Sequence, residues 1–281
     1  MSEYAAAIRL RLDRPLPLPG ALPPVTRVRG SRMYTVHGRR YLNLWADSGR
    51  AVLGLRLRSM GSMLKGLTDR GLFWNFPGIW QKRLENMVRR ILPEHDQVLV
   101  LPRAADACAM LGIDPSCVPL EYTRFTHDSW LGPADGTSGR KAGAVLVIPP
   151  LPDALSPGII ALRTENTANP LHDHASLPPC DDARLAAACK ALAAMHAAES
   201  SPPFPAWRAF QRYAAPLFAQ HGPWLLPRYP ETEHQTIFNA CLEAGILLSP
   251  DYRFPSCVPV DFDKGEAERL LTVADSLGYA C

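Results

Sequence analysis

Lysine is scarce in this sequence. Of its 30 basic residues, five are lysines and 25 are arginines. An enzyme that uses a lysine amine as its nucleophile needs that amine in a suitable pocket, so few positions are available. Those positions are Lys65, Lys82, Lys141, Lys190 and Lys264. Lys65, Lys82 and Lys264 lie in helical patterns, and Lys190 stands among alanines.

Other patterns are missing as well. No apolar run is long enough to span a membrane, and the opening segment lacks the continuous apolar middle of a secretory signal. No run of basic residues resembles a nucleic-acid-binding arm, and the net charge is only +3. We therefore expect a cytoplasmic protein with no membrane anchor and no nucleic-acid partner.

Cysteine and metal-ligand spacings are weak. The seven cysteines include no CxxC pair, which argues against a zinc site or a disulfide framework. His172, Asp173, His174 and Cys180 could ligate a metal, but no second pair completes the site and a Pro-flanked loop is favoured. Walker, GxSxG and HExxH motifs do not occur, and the SxxK at Ser138 lacks its companion motifs. No metal is expected.

A strand–turn–strand pattern occupies the stretch 30–54, "GSRMYTVHGRRYLNLWADSGRAVLG". Tyr34 and Val36 share one strand face before the turn. His37 and Gly38 supply the turn, because glycine accepts the positive φ that tight hairpins require. We predict a β-hairpin here.

Helical and buried-strand patterns alternate along the rest of the chain. The predicted helices are near 60–71, 80–91, 103–112, 181–199, 206–220 and 231–245, with a last one to 278, and the predicted strands are 97–102, 142–150, 246–249 and 258–262. Asp263 and Glu266 have the spacing of a capping box at the start of the last helix. This alternation predicts an α/β fold.

The segment from Val25 to Gly54 resembles the N-terminal signature of class III aminotransferases, whose hairpin reads "GxYLWDxDGxRYLD" and here keeps Gly38, Arg40 and Tyr41. "RILPEHDQVLVLPRAADACAMLGI", "FTHDSWLG", "AGAVLVIPPLPDALSPGIIALRTENTANPL" and "HGPWLLPRYPETEHQTIFNACLEAGILLSP" are similar to later family segments, in the family's order. Glutamate-1-semialdehyde aminomutases and their relatives share this layout.

The resemblance implies a fold of the pyridoxal 5'-phosphate (PLP)-dependent transferases, with a reduced α/β large domain and an α+β small domain. Residues 1–58 would form an N-terminal arm and hairpin that pack with the small domain. Residues 59–200 would form the large domain, and residues 201–281 the small domain. It also implies a homodimer, or pairing with a related subunit.

The resemblance also implies where PLP chemistry would occur. Its Schiff-base lysine matches Lys141, and the phosphate-binding "SGTEA" matches the residues Arg103 to Ala107. The cofactor-binding residues that it implies are Ala104, Ala105, Asp106, His127 and Thr164. PLP chemistry also needs a carboxylate at the pyridine nitrogen, and no segment matches the family's "DExxxGxGR". Asp128 or Asp135 would have to replace it.

Two alignments of the middle of the chain remain open. If "AGAVLVIPP" follows the lysine segment, the aspartate-bearing strand is missing; if it is the earlier "AAxIxEP" strand, the lysine segment is missing. Either way one required group is lost. We therefore expect an aminotransferase-like protein without a complete PLP site, retained as a binding or interaction module for a small ligand or partner. The alternative is an active aminotransferase or aminomutase that uses Lys141. Whether the chain is an enzyme stays open here.

Overall fold

A computed structural model describes residues 9–13, 22–54, 60–72, 78–119, 123–124, 144–163, 179–200 and 205–279. The chain divides into two compact units. The first is built mainly from Leu57–Ser201, and the second from Pro15–Arg56 together with Pro202–Cys281. Two segments far apart in sequence therefore fold into one body in the second unit.

Helices and strands alternate as the sequence predicts, and the α/β class is confirmed. The strands are β1 (Arg9–Leu10), β2 (Val25–Arg29), β3 (Arg32–Thr35), β4 (Arg40–Asn43), β5 (Gln97–Leu101), β6 (Val118–Pro119), β7 (Thr123–Arg124), β8 (Ala144–Val147), β9 (Gly158–Leu162), β10 (Phe218–His221), β11 (Trp224–Pro227), β12 (Ile246–Leu247) and β13 (Ser256–Cys257). The helices are α1 (Ala46–Gly49), α2 (Met60–Asp69), α3 (Ile79–Ile91), α4 (Ala104–Leu111), α5 (Asp182–Ser200), α6 (Pro205–Ala214), α7 (His234–Glu243) and α8 (Lys264–Ser276). Short 3₁₀ turns lie at Asp153–Leu155 and Glu231–Glu233.

The first unit contains a sheet with the strand order β5-β9-β8-β7. Strand β9 is antiparallel to both of its neighbours, pairing Gly158 with Leu101 of β5 and Leu162 with Ala144 of β8. Because both neighbours oppose β9, β5 and β8 run parallel, and their carboxyl ends lie at the same edge. Every residue of β8 and β9 is buried, which suits strands that are covered on both faces.

Helices complete the core of the first unit. Helix α3 packs on α5 and on β5, and α4 packs on β9. The apolar face of α3 supplies Leu84 and Val88, both fully buried. The alanines of α5 let the two helices approach closely, since small side chains leave room between the helix axes. The core shared by these elements includes Val100, Val145, Val147, Ile159, Ala161, Leu185, Ala188, Ala191 and Leu192.

The second unit contains the predicted hairpin within a sheet of order β12-β4-β3-β2. Gly38 has a φ of 75°, and its N–H donates to Thr35 O across the turn at 3.0 Å. The predicted turn is confirmed. Strand β12 pairs parallel with β4, joining Ile246 to Leu42. A second sheet in the unit has the order β10-β11-β13.

The helix predicted over 206–220 is shorter than expected. Helix α6 ends at Ala214, and Phe218–His221 form strand β10 instead. Pro216 lacks a backbone N–H and its ring clashes with the preceding turn of a helix. The proline therefore interrupts the helical pattern, and the chain leaves the helix before Pro216.

The strand predicted at 258–262 does not form. Strand β13 covers only Ser256 and Cys257. Pro259 has no N–H to donate to a ladder, and the N–H of Val260 donates to Ser31 Oγ at 2.9 Å. A side chain of the N-terminal hairpin therefore takes the place of a strand partner.

An ion-pair cluster joins that hairpin to α8. The guanidinium of Arg32 donates to both carboxylate oxygens of Glu266, at 2.8 and 2.7 Å. Arg32 also pairs with Asp261 at 2.5 Å, and Arg40 lies 3.2 Å from Glu266. The side chain of Glu266 is only 1% exposed. Its carboxylate is therefore buried, but two guanidinium groups compensate it.

The predicted capping box at the start of α8 is confirmed. The N–H of Glu266 donates to Asp263 Oδ1 at 2.7 Å, and the N–H of Asp263 donates to Glu266 Oε2 at 3.0 Å. The first of these bonds, assisted by nearby arginines, lowers the pKa of Asp263. Glu266 therefore caps its helix and holds Arg32 with one carboxylate.

Replacing this carboxylate tests the cluster. We expect Glu266→Gln to lower the free energy of unfolding by about 2–4 kcal/mol, because Arg32 loses a buried, bidentate partner. Glu268→Gln is the matched control on the same helix, since the Glu268 side chain is 48% exposed and pairs with Lys264, which is itself exposed. It should change stability by less than about 0.5 kcal/mol. Urea unfolding of the full chain measures both, and equal losses would contradict the prediction.

Candidate functional site

The turn from β5 into α4 is the predicted phosphate-binding position. Strand β5 ends at Leu101, and Arg103 precedes the helix with extended backbone angles, φ −134° and ψ 148°. The N–H groups at the start of α4 have no acceptor within the helix. Together with the helix dipole, they make the position after a strand favourable for a negative charge. Ala104, Ala105 and Asp106 occupy this helix start, as the resemblance implies.

A side chain of the helix itself already carries that negative charge. Arg103 Nη2 donates to Asp106 Oδ1 at 2.7 Å, and Arg103 Nε donates to Asp106 Oδ2 at 3.2 Å. The hydrogen bond that Arg103 donates to Asp106, and then the charge of Asp106, raise the pKa of Arg103. The Arg103 side chain is 71% exposed. An incoming phosphate would have to approach the Asp106 carboxylate and compete for the same guanidinium.

Close packing also covers the helix start. A Cβ placed on Gly158 would overlap the carbonyl oxygen of Arg103 and lie 2.8 Å from Ala107 Cβ. Ala104 is 3% exposed and Ala107 is fully buried. From α5, Arg184 Nη1 donates to Pro102 O at 2.7 Å and holds the turn in place. Strand β9 therefore begins in direct contact with the backbone of the turn that leads into α4.

The end of β8 meets the same edge of the sheet. After Val147 the chain continues as Ile148, Pro149 and Pro150, all of them buried. A 3₁₀ turn at Asp153–Leu155 then leads back to β9. Among the residues that the structure describes at this edge, none carries an amine. The charged groups there include the guanidinium groups of Arg103 and Arg184 and the carboxylates of Asp106 and Asp153.

Lys141, His127 and Thr164 of the predicted site lie outside the described residues, as do the alternative ring acids Asp128 and Asp135. The strands next to them are described. Ala144, three residues after Lys141, pairs with Leu162 of β9, which in turn pairs with Gln97 of β5. Ala144 therefore lies at the edge opposite the start of α4. The role of Lys141 as a Schiff-base lysine stays a prediction.

The second unit contains a buried turn that sequence reasoning missed. Ala46, Asp47 and Ser48 of α1 have φ values of 44°, 53° and 59°, which is unusual for residues other than glycine. Asn43 Oδ1 accepts hydrogen bonds from the N–H groups of Trp45 and Ala46 at 3.0 and 3.2 Å. The sequence does not predict three successive positive φ angles here, because glycine is the residue type that signals this conformation and none of the three is glycine.

A small cavity lies beside this turn. Its lining includes Ser31, Asn43 and Val258, and its volume is about 10 Å³. That is the space of a single water molecule and too little for a cofactor or substrate. The cavity is therefore a feature of packing within the second unit.

The buried histidine of the second unit has structural partners. Tyr229 Oη lies 3.2 Å from Nδ1 of His234, and Ser249 O lies 3.1 Å from Nε2. A carbonyl can only accept, so Nε2 carries the proton and Tyr229 donates to Nδ1. Burial lowers the pKa of His234. Both ring nitrogens are satisfied within the core, so this histidine is not available as a metal ligand or base.

The described residues contain no group of three potential metal ligands. Burial raises the pKa of Cys180 to about 12, which disfavours the thiolate that metals bind. His172, Asp173 and His174 lie outside the described residues. In the same part of the chain, no helix is both long and apolar enough to cross a membrane.

Sequence comparisons find relatives of this chain. The chain is similar to an uncharacterised protein of Borreliella burgdorferi, with 28% identity over 259 residues that cover 91% of each chain. It is also 26% identical over 304 residues to an uncharacterised protein of Treponema pallidum, covering 92% of this chain and 93% of the relative. No family model matches the sequence.

Solved aminotransferases share the fold. The ornithine aminotransferase of Toxoplasma gondii matches with a TM-score of 0.67 and 12% identity, over 92% of both chains. The acetylornithine aminotransferase of Elizabethkingia anophelis matches with a TM-score of 0.65 and 12% identity, over 92% of this chain and 95% of that one. A transaminase with PLP bound matches with a TM-score of 0.61 and 11% identity, over 90% of both chains. The protein has the fold of PLP-dependent aminotransferases, and this prediction is confirmed.

The described residues fit PLP only in part. The N–H groups at the start of α4 and the guanidinium of Arg103 could contact a phosphate. Covalent attachment needs an amine and ring activation needs an acid at the pyridine nitrogen. The described edge offers no amine, and its nearest carboxylate, Asp106, is bound to Arg103. These residues therefore do not form a PLP site by themselves.

The close approach at Gly158 gives a prediction about this edge. We expect Gly158→Ala to lower the free energy of unfolding by about 1–3 kcal/mol, because the new methyl group overlaps Arg103 O and forces β9 away from α4. Gly66→Ala is the control, since nothing lies within 4 Å of a Cβ there and alanine favours helices. Urea unfolding of both variants checks this. A neutral Gly158→Ala would show that the helix start has room.

Proposed function

We propose that this chain is an aminotransferase-fold protein that binds a ligand or partner without forming a Schiff base with PLP. The observation that carries the proposal is the sheet edge where β5 and β8 end. In the described chain, that edge offers the Arg103–Asp106 ion pair and the apolar sequence of Ile148, Pro149 and Pro150. It lacks the nucleophile on which such enzymes depend.

The direction of β8 supports this proposal. Lys141 is three residues before Ala144, the first residue of β8. Ala144 is level with Gln97 at the start of β5, with Leu162 of β9 between them. The lysine therefore precedes β8 at the edge of the sheet opposite the start of α4.

Electrostatics at the helix start support it further. A phosphate placed before α4 would meet the carboxylate of Asp106, which already accepts two hydrogen bonds from Arg103. Like charges repel strongly when little water separates them. A bound phosphate would therefore share the Arg103 guanidinium with Asp106, and the ion pair lowers the gain from the helix dipole.

A covalent test of PLP binding follows. We expect purified protein mixed with PLP to show no visible imine absorption above that of Lys141→Ala, and borohydride reduction to leave the peptide containing Lys141 unmodified. Lys190→Ala controls for random modification of a surface lysine. Mass spectrometry of the reduced digest measures the adduct. A stoichiometric imine that disappears only in Lys141→Ala would overturn the proposal.

The alternative function is an active PLP-dependent aminotransferase or aminomutase. The likeness to a transaminase with PLP bound favours it, as does the retained helix start at α4. Lys141 would then be the nucleophile, and Asp128 or Asp135 the ring acid. Transfer of an amino group from a panel of amino acids to added PLP, lost in Lys141→Ala, would favour this function over the first.

Self-association completes the proposed function. The resemblance to aminotransferases implies a homodimer, or pairing with a related subunit. We expect sedimentation velocity of the purified full chain to show a species of twice the monomer mass that dissociates on dilution. A monomer at every concentration, with no related protein co-purifying from the native host, would contradict both forms of pairing.

A further inference from the structure

Strand β2 is an open edge of the second unit. Among the described residues it is the last strand in the order β12-β4-β3-β2 and pairs on one side only, with β3. Four of its five residues are exposed, and Val28 is half-buried. Val36, just beyond β3, is 52% exposed and Val25 is 38% exposed. An exposed edge of this kind presents unpaired backbone groups to any strand that fits it.

The direction of those backbone groups follows from the register. Gly30 and Ser31 form a two-residue turn, so Arg29 and Arg32 are the first pair after it. In such hairpins the first pair exchanges both hydrogen bonds, and the next pair exchanges none. Val28 is in the next pair, opposite Met33. The N–H and carbonyl of Val28 therefore point away from β3, towards the open edge.

The open edge is also basic. Residues 22–41 contain five arginines and no acidic residue. Arg32 and Arg40 pair with Glu266, whereas Arg27 and Arg29 have no carboxylate within ion-pair distance among the described residues. Arg27 is held over the ring of Tyr34, 4.3 Å from its centroid. Its guanidinium is thus already ordered, which lowers the entropy cost of binding an anion.

We propose that β2 binds an extended acidic peptide segment by strand addition. The main chain of the peptide would pair with the outward groups of Val28, and acidic side chains on one face would meet Arg27 and Arg29. Peptide recognition by strand addition takes affinity from the main chain and specificity from alternate side chains. This deepens the proposed function, because it names a surface and a partner for the interaction module.

The same charges argue against a second copy of the chain as the occupant. Antiparallel pairing of two β2 strands would set arginine against arginine across the new ladder, and like charges directly opposite are destabilising. Acidic side chains in those positions would instead be attracted to the arginines. The charge pattern therefore selects an acidic strand and disfavours self-pairing.

Peptide binding to the full chain tests this proposal. The probes are a fluorescent peptide of alternating Glu and Val and a matched peptide of alternating Lys and Val. We expect the Glu peptide to bind with an affinity that falls as salt is added, and the Lys peptide to bind at least roughly tenfold more weakly. Amide hydrogen exchange should slow at residues 25–29 when the Glu peptide binds.

Two variants separate the main-chain and side-chain contributions. Val28→Pro removes one outward N–H without breaking the pairing with β3, whereas Val28→Ala keeps the N–H and serves as its control. We expect at least a tenfold loss for Val28→Pro relative to Val28→Ala. Arg27→Glu with Arg29→Glu should reverse the preference between the two peptides. Thermal unfolding confirms that each variant is folded, and the arginine variant keeps the test valid if Val28→Pro disturbs the hairpin.

Three results would overturn the proposal. The first is equal binding of both peptides, and the second is exchange protection that lies outside residues 25–29. The third is displacement of the peptide by a single-stranded DNA oligonucleotide that binds Val28→Pro and Val28→Ala equally tightly. Such a result would indicate that the surface attracts any polyanion. None of these results depends on PLP, so failure here leaves the Schiff-base test unaffected.

Discussion

The second unit depends on one buried carboxylate. The carboxylate of Glu266 accepts two hydrogen bonds from the Arg32 guanidinium. The two residues are 234 positions apart, so the pair joins β3 to α8 across most of the sequence. Removing two charges from water costs several kcal/mol each, and only good geometry recovers that cost. The bidentate contact and the capping box on the same carboxylate supply this geometry.

The first unit shows which part of an anion-binding position a backbone supplies by itself. The strand, turn and helix that hold a phosphate in many folds are present as β5 and α4. The polarity of a helix start is intrinsic to its backbone, so substitution cannot remove it. At this helix the Asp106 carboxylate and the Arg103 guanidinium neutralise one another beside it. The backbone keeps its potential for binding anions, and side chains decide whether it is used.

Local signals in the sequence predicted local structure well. The hairpin turn at Gly38 and the capping box of Asp263 with Glu266 each depend on a few adjacent residues, and both were correct. The predicted strand at 258–262 failed because Ser31, distant in sequence, takes a hydrogen bond from Val260. The contact of Gly158 with Arg103 was missed for the same reason. Sequence patterns show which face is apolar, but they do not show which distant group will lie against it.

The discontinuous makeup of the second unit also affects synthesis on the ribosome. Strands β2, β3 and β4 are translated early, whereas β12 and α8 are translated last. At 5–20 residues per second, the 234 residues that separate Arg32 from Glu266 take roughly 10–50 s to make. During that interval the hairpin has neither its parallel neighbour nor its buried carboxylate. The arginines of β2 disfavour pairing between two unfinished hairpins, because like charges directly opposite each other are destabilising.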